Sequence, residues 1–507
     1  SNNRRETISL IQKVSRSYRN IVLVSIALIS TIMHFNHFSK DLMGVHVWRQ
    51  TQTQSTILNF YEEDMNILNP HRNERGNGDG LFRMEFPLMQ WLVAGVYTLF
   101  GNHLILSRLF MFIIGLFSVL GMYRLLEFLF RNETLALIGA WAFNFSPCFY
   151  YYTINPLPDN LALCFSIWGV ALFFFWHERG KTYLLMISGF LLSAGALCKL
   201  PFILYFSVPL SFFILNSIRN GINRNDAWNV LCASVFILLP VAWYFSVIPQ
   251  WTGNGIVRGI FDSNASPFQF LDYLWHNLVS ALPELMLNYG SVLFFLSGFY
   301  FIYRNRVWKN PLFGVIVAWS MAILAYFIFE IHMIAKIHDY YLFPFYPMLF
   351  ILVAYGAWNL LALKIRYLKY LVILCLLILP LTAYLRMEDR WNAETPGFNK
   401  DLLVYSEELR NAAPKDALCI VGNDVSHYIY FYYIDKKGWA FQDNNISAKR
   451  MNEMIRDGAR YLYSDSRQIE NDSSIFRLLD KLILEKGSFR VYRLKEVNAA
   501  QRFIPDS

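Results

Sequence analysis

The stretch 83-RMEFPLMQW-91 marks where a long polar segment gives way to apolar sequence. An acidic residue, Glu85, stands at that return, followed by Phe86 and Pro87. The first apolar run ends near Phe38; about fifty polar residues with only a short apolar stretch inside them follow, and after them comes a further apolar patch, 88–100. That patch falls short of ~30 Å of hydrocarbon and reads as interfacial or re-entrant. A carboxylate placed beside such a boundary is costly, and usually functional.

Outward from this point, apolar runs long enough to span a bilayer recur. They are expected near 20–38, 104–129, 134–152, 159–177, 182–198, 200–217, 228–247, 288–303, 311–331, 340–362 and 368–386, about eleven crossings in all. The composition agrees: 55% of the 507 residues are hydrophobic and 16% charged, against roughly 25% charged in soluble domains. The fold class expected is therefore a mostly α, polytopic membrane protein. Short loops rich in Lys and Arg, 177-HERGK-181, 219-RNGINRND-226, 304-RNRVWK-309 and 364-KIRYLK-369, alternate with loops that carry other polar groups. Basic loops face the cytoplasm, so 39–103, 153–158, 249–287 and 332–339 fall on the opposite face. The net charge of +8 then belongs to those loops, and nothing suggests nucleic-acid binding. The six cysteines form no CxxC, and five lie in apolar runs, as small buried side chains do.

The composition changes at 388-EDRWNAETPGFNKD-401. Beyond this linker, strands are expected at 417–422, 459–464 and 488–494, and helices at 400–411, 447–457 and 473–484. The chain thus divides into a membrane domain, 1–387, with a long first external loop, 39–103, and a small soluble α/β domain, 388–507. An odd number of spans places that domain outside the cytoplasm, which in a bacterial inner membrane would be the periplasmic face. It contains no GxGxxG or Walker motif and is expected to be structural or to dock an acceptor.

The external loops collect the groups that chemistry needs. Lys199 in 196-ALCKLPF-202, Lys336 and His338 in 336-KIHDYYLFPFYP-347, and Arg49 can hold a phosphate whose lipid tail stays in the bilayer. Asp41, His46, Glu85, Asp159 in 155-NPLPDN-160 and His276 can deprotonate an acceptor or hold a divalent ion. Each has a simpler alternative: Asp159 could cap its helix, the lysines could snorkel, and His46 and Arg49 could order their loop.

These residues, in this span order, resemble the GT-C membrane glycosyltransferases, above all the protein mannosyltransferases and the lipid A aminoarabinose transferases. In 84-MEFPLMQWL-92, Glu85 matches the acidic residue that ends the family's first external loop. The resemblance implies that Glu85, and His276 in 272-DYLWHNL-278, ligate a metal ion, and that Lys199 contacts the donor phosphate. Two departures stand out. Phe86 replaces a lysine that relatives carry before the proline, and 44-GVHVWRQTQTQ-54 lacks the family's acidic pair, leaving Asp41 and His46 as candidate bases. The His-x-Trp-Arg-Gln stretch is similar to a bacterial subgroup of the same superfamily.

The expected function is transfer of a sugar from a polyprenyl-phosphate donor to a glycan, lipid or protein acceptor at the external face of the inner membrane, with a divalent ion as possible cofactor. A transporter or flippase of a lipid-linked saccharide is the alternative, disfavoured because charge gathers at one lip of the membrane rather than at its middle.

Overall fold

The computed structural model describes residues 2–76, 78–221, 224–251, 259–262, 266–442 and 445–496, and the side chains of these from residue 17 onward. Parts of the expected loops 219–226 and 249–287 and the end of the C-terminal domain lie outside the described residues. The chain forms two compact units. One comprises residues 1–40, 84–89 and 104–388; the other comprises 41–83, 90–103 and 389–507.

In the first unit, eight helical segments among the described residues are long and apolar enough to cross a membrane. They are Ser17–His37, Leu104–Phe130, Pro158–Arg179, Leu200–Asn220, Arg224–Gln250, Pro311–Phe329, Asp339–Ala362 and Arg366–Trp391. Two other expected crossings appear as the shorter apolar helices Thr182–Cys198 and Val292–Arg304. The last, expected as one helix over 134–152, is broken into Glu133–Asn144 and Pro147–Tyr152. Pro147 explains the break: it cannot donate to the preceding turn, but its fixed φ suits the first position of a new helix.

The helices Pro158–Arg179 and Thr182–Cys198 form a tight antiparallel pair. The pair starts at Leu157, held extended (φ −132°, ψ 131°) by the proline that follows it. It closes where Gly195 meets Ser166: a Cβ at residue 195 would lie 2.4 Å from Ser166 Oγ. That contact sets the end of the second helix, and therefore Lys199, beside the start of the first.

The second unit joins residues 41–83 and 90–103 to the C-terminal sheet. The strands are β1 (Leu418–Gly422), β2 (Lys437–Phe441), β3 (Tyr461–Ser464), β4 (Leu479–Lys486) and β5 (Phe489–Leu494), in the order β2-β1-β3-β5-β4. β1 runs parallel to β2 and β3, and β5 antiparallel to β3 and β4. Ile420, Phe441, Met451, Ile455 and Leu462 lie in its core. The expected helix over 473–484 stops at Phe476, and its second half is the strand β4. β2 was not anticipated. Its Gly438 has φ 149°, and a Cβ there would sit 1.8 Å from the Cys419 carbonyl oxygen, so the parallel register with β1 requires glycine.

The loop covers the outer edge of β2. The Arg75 amide donates to the Gly438 carbonyl at 2.7 Å, and the Gly438 amide to Asn73 at 3.0 Å. Trp439 Nε1 donates to the Gly76 carbonyl at 2.8 Å. Lys415 pairs with Glu62 at 3.0 Å, and Lys437 pairs with Glu63. Such cover removes an edge that would otherwise be open to pairing.

Candidate active site

The first unit builds its polar site where several membrane helices begin or end. Asp159 lies in the first turn of Pro158–Arg179 and is 1% exposed. The exposed amides of that turn favour an anion there. Lys199 lies between Thr182–Cys198 and the short helix Leu200–Phe206, in extended conformation (φ −156°, ψ 117°). Pro201 opens that short helix and breaks the longer one, turning the lysine inward. Its Nζ stands 3.5 Å from Asp159 Oδ1.

Lys199 also lies over two aromatic rings, 4.8 Å from the Tyr341 centroid and 5.3 Å from that of Tyr340. The negative ring faces hold the ammonium where water is scarce. Both tyrosines belong to the segment Asp339–Phe345 that leads into Tyr346–Ala362. Asp339 is buried and accepts a 2.5 Å hydrogen bond from Tyr152 Oη. His338 Nδ1 is 2.6 Å from the Met333 carbonyl oxygen. Burial, with the charge of Lys199 adding to it against that hydrogen bond, holds the His338 imidazole below its usual pKa, so at neutral pH it is uncharged.

Glu85 reaches this cluster through the backbone. The Phe86 amide donates to the Leu197 carbonyl at 2.9 Å, two residues before Lys199. Trp243 Nε1 donates to the Met84 carbonyl at 3.0 Å, and the Phe86 ring packs edge-on against Trp243 at 5.0 Å. Cys198 feels the charges of both Glu85 and Asp159. The side chain at 86 is therefore committed to an aromatic contact.

Three residues that sequence reasoning missed complete the setting. Arg108, fully buried near the start of Leu104–Phe130, donates to Asn155 Oδ1 at 2.8 Å and to the Lys40 carbonyl at 2.9 Å. Asn160 Nδ2 donates to the Tyr152 and Asn155 carbonyls. These bonds fix the turn 153–157 and so aim both Tyr152 and Asp159. A lone arginine inside an apolar run was the available signal. Tyr152 offered none, since its partner Asp339 is 187 positions away. Glu330, just beyond Pro311–Phe329, is the third: it is buried, and burial pushes its carboxyl up to about 7.

No described contact joins Lys336 or His276 to the pair. Lys336 is exposed and pairs with Asp272 at 2.7 Å. His276 ends the helix Pro267–His276, and no described contact joins it to Glu85. Among the described residues no three His, Cys, Asp or Glu side chains converge as a metal set. Asp41, His46 and Arg49 belong to the second unit. There Asp41 is exposed, while His46 (φ 58°) precedes the helix Val47–Glu62 and is buried, as are Arg49 and the run Gln50 to Ser55.

A greasy hollow adjoins the Asp339–Phe345 segment. It has a volume of about 320 Å³, and Leu282, Phe299, Leu324, Phe327, Leu342 and Phe345 are among its lining residues.

Comparison with known proteins gives the fold a context. Residues 85–245 match the family described as dolichyl-phosphate-mannose-protein mannosyltransferase. No curated protein matches the chain by sequence. Among solved structures, ArnT from Cupriavidus metallidurans superposes with a TM-score of 0.65 at 12% identity, covering 94% of this chain and 98% of ArnT. The same protein bound to undecaprenyl phosphate also scores 0.65, at 12% identity, with 93% and 97% covered. The oligosaccharyltransferase from Archaeoglobus fulgidus scores 0.58 at 13% identity, with 89% of this chain and 70% of that one covered. The fold is thus the GT-C architecture expected from the sequence.

Proposed function

We propose that this chain is a membrane glycosyltransferase that moves a sugar from a polyprenyl-phosphate donor to an acceptor at the external face of the inner membrane. One observation carries the reading: a lysine–aspartate pair with side chains 13% and 2% exposed stands on an aromatic segment whose continuation lines an apolar hollow. A phosphate tied to a prenyl chain needs both, a cation for its charge and grease for its tail. The fold shared with ArnT, which has been solved with undecaprenyl phosphate bound, supports this choice of donor.

The reaction is a direct displacement with inversion. A lone pair of the acceptor attacks the anomeric carbon as the bond from that carbon to the phosphate oxygen breaks. The departing electron pair stays on the polyprenyl phosphate, where Lys199 meets the charge that develops. Asp159 holds the ammonium in place until the phosphate arrives, and Tyr340 and Tyr341 confine it. The acceptor's proton passes to a carboxylate, for which Glu85 is the first unit's candidate. Glu85 and His276 share no third described His, Cys, Asp or Glu ligand for a divalent ion.

The test is an envelope comparison by mass spectrometry of cells with and without the gene. Loss of one sugar from a glycolipid or glycoprotein, with accumulation of the corresponding polyprenyl-phosphate sugar, is expected. Unchanged levels of every such donor would overturn the reading. Vesicles that flip a labelled lipid-linked saccharide without any transfer would establish the transporter instead.

A further inference from the structure

At the ends of the same helices remote from Asp159 lies a second concavity, of about 570 Å³, lined by Arg124, Glu127, Phe128, Arg131, Phe175, Glu178 and Arg179. A helix of 22 residues is about 33 Å long, so this hollow is a membrane's breadth from the candidate site and shares no residue with it.

Its chemistry is specific. Three guanidinium groups rest on phenylalanine rings. Arg124 and Arg179 lie 5.3 and 5.4 Å from the Phe175 centroid, and Arg131 lies 4.6 Å from that of Phe128. Contact with a ring restricts each fork, which lowers the ordering cost of gripping a phosphate. Two of the three are balanced: Arg124 pairs with Glu127 at 2.5 Å, and Arg131 with Glu178 at 2.8 Å. Arg179 makes no ion pair among the described residues and lies over the Phe175 ring. Three cations against two carboxylates leave one positive charge. The two ion pairs are half in solvent, where such pairs are weak and exchange readily. The dipole at a helix C-terminus accounts for an arginine at each end, but not for three forks around one hollow.

We infer that this hollow binds the phosphate of an anionic membrane lipid. A free phosphate would satisfy the same forks, but the position favours a lipid. The hollow sits at the end of two membrane-spanning helices, with buried phenylalanines as its floor, so a head group can enter while its acyl chains stay in hydrocarbon. The inference is independent of the proposed reaction.

The test uses the full chain in nanodiscs of phosphatidylcholine doped with phosphatidylglycerol, with retained lipid measured by native mass spectrometry. The wild type is expected to retain phosphatidylglycerol in preference to phosphatidylcholine. Arg179→Ala should reduce the preference, and the pair Arg124→Ala with Arg179→Ala should abolish it, while inorganic phosphate leaves the wild-type adduct in place. Equal retention of both lipids, or variants that keep the wild-type preference, would overturn the inference. So would displacement by inorganic phosphate, which would identify a site for the free anion. If the double variant does not insert, a photoreactive phosphatidylglycerol head group decides the matter on the wild type. Crosslinks within 124–131 or 175–179 support the site, and crosslinks elsewhere only would refute it.

Discussion

Lys199 Nζ lies 3.5 Å from Asp159 Oδ1, with the two side chains 13% and 2% exposed. Each belongs to a different helix of one antiparallel pair, and each sits where a proline has shaped the backbone. A charge pair so placed is poor stability for its cost, which fits a pair kept for chemistry. Lys199→Ala is expected to lower the rate of sugar transfer by roughly 10²-fold or more, with Lys199→Arg recovering part of it. Transfer from a polyprenyl-phosphate sugar by purified protein is the measurement, with the thermal midpoint as folding control. Full activity in Lys199→Ala would remove this lysine from the site.

Tyr152 and Asp339 form the bond that anchors the aromatic platform. Tyr152→Phe and Asp339→Asn should each lower activity, and the double variant should lose less than their sum. The coupling expected is about 1–2 kcal/mol, read from a double-mutant cycle on the transfer rate. Strict additivity would mean that the bond positions nothing.

Gly195 is a steric prediction. Alanine at this position places a methyl group 2.4 Å from Ser166 Oγ and 3.0 Å from the Ala162 carbonyl oxygen, so the helix pair must separate. Destabilisation of about 1–3 kcal/mol is expected. Because Lys199 rides on the same helix end, activity should fall even below the melting range. Gly195→Ala with Ser166→Ala should restore part of both; if it restores neither, the contact is not what limits the approach.

Glu330 sets a pH dependence. Its carboxyl titrates near 7 when folded, against about 4.3 in an unfolded chain. Between those values the folded protein holds a proton that the unfolded chain has released. Stability is therefore fullest below the lower value and declines as pH rises through 7. Glu330→Gln should flatten that slope and raise stability above pH 7 by on the order of 2 kcal/mol. Thermal midpoints in detergent across this range are the measurement, and identical slopes for variant and wild type would exclude Glu330 as the source.

The membrane helices were readable because hydrocarbon thickness imposes a length that composition reports directly. Lys199 and Asp159 were readable as charges flanked by prolines at the ends of apolar runs. The sheet was less so. β4 carries Leu479, Leu482 and Ile483 at a spacing that suits a helix, but most of its residues are exposed, so pairing with β5 decides its structure. β2 is five residues long and includes a glycine whose role depends on Cys419, a neighbour the local sequence does not reveal. Arg108 and Tyr152 escaped for the same reason: their meaning lies in partners far along the chain.

The pairing of the first loop with β2 has a consequence for biosynthesis. Trp439 meets Gly76 across 363 positions, so the loop leaves the ribosome long before the strand that completes it. At ~5–20 residues per second the wait is roughly 20–70 s. Throughout that interval residues 41–83 must stay soluble without their sheet, which makes this loop the natural client of a chaperone. It also makes any chain truncated before β2 a source of unfolded loop rather than of a smaller working enzyme.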